Sequence, residues 1–77
     1  MRFRIEITRR PTISDPEGAT AARALRDLGY TAVQGAHVGR VIDLDVDDGT
    51  PLAQVEEMCE RLLANPVIED YRIVEVE

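Results

Sequence analysis

Arg2-Phe3-Arg4-Ile5-Glu6-Ile7-Thr8 opens the chain with strict alternation, placing Phe3, Ile5 and Ile7 on one side and Arg2, Arg4, Glu6 and Thr8 on the other. A period of two predicts a strand with one buried and one solvated face. Arg9-Arg10-Pro11 breaks the pattern, and Asp15-Pro16-Glu17 then supplies a helix start. It offers an N-cap side chain, a proline at the first helical position and an acid at the positive helix end. Ala21, Ala22, Leu25 and Leu28 share one helical face, Arg23, Arg26 and Asp27 the other, and Gly29 is placed to end the helix in a left-handed conformation.

Residues 33–38 and 41–46 are two apolar stretches hinged at Gly39-Arg40, which predicts a hairpin or a bent continuous ribbon. In the second, Ile42, Leu44 and Val46 alternate with Asp43 and Asp45, so the acids are expected on a solvated face. After the turn Asp47-Asp48-Gly49, Thr50 is expected to cap a second helix with Pro51 at its first position. Leu52, Val55, Cys59 and Leu62, flanked by Met58 and Leu63, form its apolar stripe, and Asn65-Pro66 stops it. Residues 67–77 contain a last strand of mixed phase, Tyr71 and Ile73 favouring one face, Val74 and Val76 the other. Coverage of both faces is expected, one by the helices and one by a second subunit. The order is β-α-β-β-α-β, an α+β two-layer sandwich with an antiparallel sheet and two helices on one face, ferredoxin-like or a close variant, in a single domain over residues 1–77.

The length of 77 residues limits the core to a few kcal/mol of net stability, about 3–5 kcal/mol. Cys59 is the one cysteine, so no internal disulfide adds to this, and association is the expected supplement. An apolar fraction of 44% with 31% charged residues reads as folded rather than disordered, and no apolar run approaches a membrane span. The start Met1-Arg2-Phe3-Arg4 lacks a secretory signal, so a cytoplasmic address is expected. A net charge of −6 argues against nucleic acid and anionic membranes as partners. With no lysine, Schiff-base and P-loop lysine chemistry have no residue to use. Residues 1–40 hold seven arginines against four acids and residues 41–77 two against eleven, an asymmetry expected to be absorbed by the halves folding on each other.

Little else carries chemistry. His37 lacks a spaced orienting acid, nucleophile or co-ligand and reads as structural or interfacial. Cys59 on the apolar stripe reads as core. The acids Asp43, Asp45, Asp47 and Asp48 lack an EF-hand spacing and read as solvated, and neither metal nor cofactor is expected in this chain. Gly35 and Gly39 form no phosphate-binding motif, and Arg9-Arg10 read as solvated. A self-contained enzyme is therefore not expected.

The run Leu62-Leu63-Ala64-Asn65-Pro66-Val67-Ile68-Glu69-Asp70-Tyr71 is distinctive. With Asp15-Pro16-Glu17-Gly18, Leu28-Gly29-Tyr30, Val38-Gly39-Arg40 and Met58-Cys59-Glu60-Arg61 in this order, the whole chain resembles the small PurS-type subunit of bacterial phosphoribosylformylglycinamidine synthase. Arg10, Arg61 or apolar residues stand where that family often carries lysines. The resemblance implies a subunit that is not catalytic alone. It joins a glutaminase (PurQ-type) and a synthetase (PurL-type) subunit that uses ATP and magnesium, and together they convert formylglycinamide ribonucleotide to its amidine in purine biosynthesis. A homodimer or larger homo-oligomer is expected. Gly39, Arg40, Asn65, Pro66, Val67, Ile68, Glu69, Asp70 and Tyr71 are the candidates for partner contact, with Arg40 able to grip a partner carboxylate in bidentate fashion. An amino-acid-sensing module of ACT type shares the element order and is the alternative; acylphosphatase-like hydrolysis, with Asn65 as the one asparagine, is weaker.

Overall fold

Three strands, two helices and a wide helical turn follow one another in the computed structural model, which describes residues 1–76. Strand β1 (Arg2–Arg9) is central, flanked by β2 (Arg40–Asp45) and β3 (Glu69–Glu75), both antiparallel to it, in the order β2-β1-β3. Helix α1 (Pro16–Asp27) lies between β1 and β2, and α2 (Leu52–Met58) between β2 and β3. The antiparallel α+β class read from the alternation stands. Residues 33–38, expected as a strand, form an extended segment that pairs with no strand among the described residues.

The core is the apolar face of the sheet closed by the second helix. Phe3, Ile5 and Ile7 pack with Val55, Cys59 and Ala64, and Ile42, Leu44, Tyr71 and Ile73 complete the layer. Cys59 is thus a core residue, and burial pushes its thiol pKa up. No residue of α1 belongs to this core. Leu25 and Leu28 are exposed, and the radius of gyration is 15.8 Å, against about 11.5 Å for a compact chain of this length. The principal extent reaches 49 Å, whereas an eight-residue strand spans only about 26 Å. α1 lies beyond the end of the sheet, so the expected pair of helices side by side on one face is not formed within this chain.

The opposite face carries a ladder of ion pairs. Arg2 faces Asp45, Arg4 faces Asp43 and Glu6 faces Arg72 across the strands, each pair within hydrogen-bond distance. The acids of β2 are therefore matched by the arginines of β1, and each guanidinium holds the facing carboxyl below the usual aspartate range. Part of the uneven charge of the two halves is absorbed here, where Arg2 and Arg4 meet Asp45 and Asp43. Val74 also lies on this face, opposite Arg4. The mixed phase of β3 thus reflects a valine among charges, and Tyr71 and Ile73 supply its core side.

Local signals explain the element ends. The Asp15 carboxylate accepts from Gly18 N at 3.0 Å and caps α1. Gly29 has φ of 104°, with Gly29 N donating to Arg26 O and Tyr30 N to Leu25 O, the Schellman arrangement for a helix end. Thr50 does not cap α2. Its hydroxyl donates to Asp47 O at 2.6 Å and closes the preceding turn, while Pro51 takes the cap position. After Met58 the helix widens over Cys59–Leu63 to i→i+5 bonding, with Ala64 N donating to Cys59 O at 2.9 Å. The extra residue in that turn shifts the helical phase. Leu62, expected on the apolar stripe, is 82% exposed, and Leu63 and Ala64 take the core positions.

Asp15 also accepts from Val38 N at 2.8 Å, fastening the start of α1 to the segment ahead of β2. These two backbone donors, before the nearby Arg9, lower its pKa. A depressed folded-state pKa gives stability that is present above the unfolded value near 4 and lost as pH falls through the folded value. Asp15→Asn is expected to flatten the acid limb of stability below about pH 4 relative to the wild type, measured by urea midpoints across pH. Parallel acid limbs would contradict the capping role.

Candidate functional site

Most of the candidate contact residues converge at one end of the core, where β2 begins, β3 begins and the second helix ends. Arg40 stands opposite Ile7 in the β1–β2 ladder and Glu69 opposite Arg9 in the β1–β3 ladder, positions that aim both side chains to the helix side of the sheet. There Arg40 Nη1 donates to Glu69 Oε2 at 3.0 Å and Nη2 to Oε1 at 3.1 Å. The bidentate grip anticipated for a partner's carboxylate is made to the chain's own Glu69.

Glu69 is the one charged residue buried among those described, 9% exposed, and its charge is fully used. Oε1 also accepts from Asn65 N at 2.7 Å, while Arg40 Nη2 donates to Leu63 O at 2.8 Å, a carbonyl left free by the end of the helix. A cation at a helix C-terminus is favourable on electrostatic grounds as well. The pair therefore clamps both edge strands to the helix exit, over the top of Ile7. Gly39 permits the approach, since a Cβ there would lie 2.5 Å from Ile7 O. A cleft of about 250 Å³ opens beside the clamp, lined in part by Arg9, Glu17, Gly39, Arg40 and Glu69.

The turn that follows is held on every side. Asn65 Oδ1 accepts from Val67 N at 3.1 Å, and Asn65 O accepts from Ile68 N and Glu69 N at 3.1 and 2.8 Å. Arg10 donates from its side chain to Pro66 O and from its backbone to Ile68 O, and pairs with Asp70 at 3.4 Å. Arg10, read from sequence as solvated, is thus a tether between β1 and the turn. Ile68 is half-buried, whereas Val67 at the apex is 75% exposed. Tyr71 lies apart from the group, its ring against the core and its hydroxyl donating to Glu60 Oε1 at 3.0 Å. Burial, then that carboxylate, raises its pKa.

His37 is exposed on the segment between α1 and β2, and among the described residues no group of three or more His, Cys, Asp or Glu side chains is arranged to hold a metal ion. The arrangement at the core's end can position backbone and present an apolar side chain. Its acidic and basic groups are paired with one another. Sequence reasoning missed the Arg40–Glu69 pair, although strand phase carries it: Arg40 is in step with Ile42 and Leu44, and Glu69 with Tyr71 and Ile73.

Fold and site together define a small α+β domain whose polar residues brace a surface turn. The family model that matches residues 2–77 is PurS, described as phosphoribosylformylglycinamidine (FGAM) synthase. The chain is 41% identical over 71 residues to the subunit PurS of that synthase from Synechocystis, covering 88% of this chain and 71% of the relative. It is 37% identical over 73 residues to the Bacillus subtilis subunit, covering 92% and 87%. Among solved structures, Bacillus subtilis PurS superposes with a TM-score of 0.88 at 35% identity, covering 99% of this chain and 98% of that one. A chain in the structure of PurLQS from Thermotoga maritima superposes with a TM-score of 0.82 at 32% identity, covering 97% and 95%. The chain belongs to the PurS family, the small subunit of FGAM synthase.

Proposed function

We propose that this chain works as a coupling subunit, joining a PurQ-type glutaminase to a PurL-type synthetase so that ammonia released from glutamine reaches formylglycinamide ribonucleotide without entering bulk water. The Thermotoga maritima assembly containing PurL, PurQ and PurS supports the partners. ATP and magnesium are used by the synthetase subunit, and the complex operates in the cytoplasm. Ammonia attacks only while neutral, and water both protonates and dilutes it, so two active sites gain from a fixed, closed alignment. A coupler need supply only rigid surfaces for that.

The observation that carries this reading is the braced turn. Backbone and side-chain bonds from Asn65, Arg10, Glu69 and Arg40 converge on residues 65–69 and leave Val67 outward. Rigid presentation lowers the entropy lost on docking, and an apolar apex suits a socket on a larger subunit. Gly39, Arg40, Asn65, Pro66 and Ile68–Asp70 set the turn, and Val67 makes the contact. Tyr71 supports it from the core. The chain acts as a homodimer or larger homo-oligomer, consistent with a core of few residues and several exposed leucines.

Analytical ultracentrifugation tests the joining role. With ATP, magnesium and glutamine present, the glutaminase and synthetase are expected to sediment together when this chain is added and separately when it is omitted. Equal co-sedimentation without it would overturn the proposal.

A further inference from the structure

Between residues 8–13, α1 and residues 34–38 lies a cavity of about 620 Å³, within the size range of small-molecule pockets. The coupling role makes no use of it. Its walls are largely apolar, built from Pro11, Ile13, Ala19, Ala22 and Val38, and charge is set into them: Arg9, Arg10 and Arg26 against one acid, Asp15. The excess is two positive charges, in a chain whose net charge is −6. Asp15 is already engaged, its two oxygens accepting from Gly18 N and Val38 N.

The guanidiniums are positioned with donors left over. Arg9 Nη1 donates to Ser14 O at 3.3 Å and lies 3.5 Å from Asp15, and Arg26 Nη1 donates to Val33 O at 3.2 Å. A guanidinium carries five N–H donors, so each of these contacts fixes a fork from one side and leaves most of it open. Arg10 is turned to Pro66 and Asp70 and adds its charge. His37, exposed, lines the cavity as well and offers a ring N–H.

We infer that this cavity binds a phosphate monoester, the phosphate taken by the forks of Arg9 and Arg26 and the body of the ligand lying against Pro11, Ile13 and the helix alanines. Arginine matches phosphate oxygens in bidentate fashion. A dianion balances an excess of two positive charges, where a carboxylate balances one. The apolar walls favour a ligand with a ring system over the bare anion. Covering Leu25 and Leu28 in a homo-oligomer does not close the cavity, because Ala19, Ala22 and Arg26 lie about 120° around α1 from those leucines.

Isothermal titration calorimetry of the homo-oligomer with adenosine monophosphate, inorganic phosphate and adenosine tests this. The nucleotide is expected to bind at least about tenfold tighter than phosphate, through burial of its ring system, and adenosine is expected not to bind. Arg26→Gln, at an exposed position, removes a charge-assisted bond and is expected to weaken the nucleotide by at least about tenfold with the melting curve unchanged. Arg9→Gln serves as a second variant should that chain fold poorly. Arg2→Gln, in the ladder on the other face of the sheet, changes the net charge equally and is expected to bind as the wild type does. Equal affinities for nucleotide and phosphate would make this a site for free phosphate and overturn the monoester. No heat at millimolar nucleotide, or equal weakening by Arg26→Gln and Arg2→Gln, would overturn the site altogether.

Discussion

Glu69→Ala is expected to lower the thermal midpoint by roughly 10–20 °C, a larger change than any exposed charge in this chain should give. The carboxylate is buried and accepts from Arg40 twice and from Asn65 N. Removing it leaves a guanidinium and a backbone N–H facing a vacated site. A hydrogen bond to a charged group is worth about 1.5–3 kcal/mol, and breaking a fully buried pair costs about 3–5 kcal/mol. Arg40 is 53% exposed and recovers some hydration, which moves the expected loss to about 2–3 kcal/mol. For a domain of this size each kcal/mol shifts the midpoint by about 4–8 °C. By contrast, Asp45→Ala breaks a pair with both partners well exposed and should cost under about 1 kcal/mol. Circular dichroism melts of the two variants measure the difference. Equal and small shifts would show that the clamp contributes nothing beyond a surface ion pair.

Val67→Asp should have the converse profile, a stable chain that couples poorly. Val67 is exposed, so its replacement is expected to leave stability within about 0.5 kcal/mol. Its backbone N–H keeps the bond to Asn65 Oδ1 whatever the side chain. If Val67 seats in a partner's socket, burying a carboxylate there removes an apolar anchor and adds a desolvation cost. A central anchor is worth at least about 2 kcal/mol, a factor of about 30 in affinity. The concentration of this chain that half-restores glutamine-dependent synthesis should rise by about 30-fold, with the melting curve and oligomeric state unchanged. An unaltered half-saturating concentration would remove Val67 from the contact surface.

The sheet was legible in the sequence because its signal is local. Period-two alternation in β1 and β2 follows from one face being buried, and both strands lie where the alternation places them. Asp15, Pro16 and Gly29 mark the ends of α1 for the same reason: capping and positive φ are properties of a few adjacent residues. Three features escaped, each through a non-local cause. The widened turn at Cys59–Leu63 displaces Leu62, a change of phase that a helical period cannot register. Residues 33–38 have the apolar content of a strand, but a strand also needs an edge to pair with, and they pair with none among the described residues. The amphipathic pattern of α1 is real, yet no residue of the helix joins the sheet's core, and Leu25 and Leu28 stay exposed.

The site was legible as a stretch and illegible as a mechanism. Resemblance drew attention to Arg40 and residues 65–71, and the structure gathers Arg40, Asn65, Pro66, Ile68, Glu69 and Asp70 around one turn, directly or through Arg10. Arg40 was read as a hand extended to a partner. Its fork closes instead on Glu69, a pairing between residues 29 positions apart that only the shared strand β1 brings together. Arg10 looked solvated because two adjacent arginines carry no periodic signal, and its partners Pro66, Ile68 and Asp70 lie at the far end of the sequence.

The decisive assay compares two nitrogen sources. Glutaminase and synthetase are mixed with ATP and magnesium, and amidine formation is followed with glutamine or with ammonium salt, with and without this chain. If the chain serves to align the two sites, synthesis from glutamine falls to background on its omission while synthesis from ammonium persists. Full synthesis from glutamine in its absence would contradict the account.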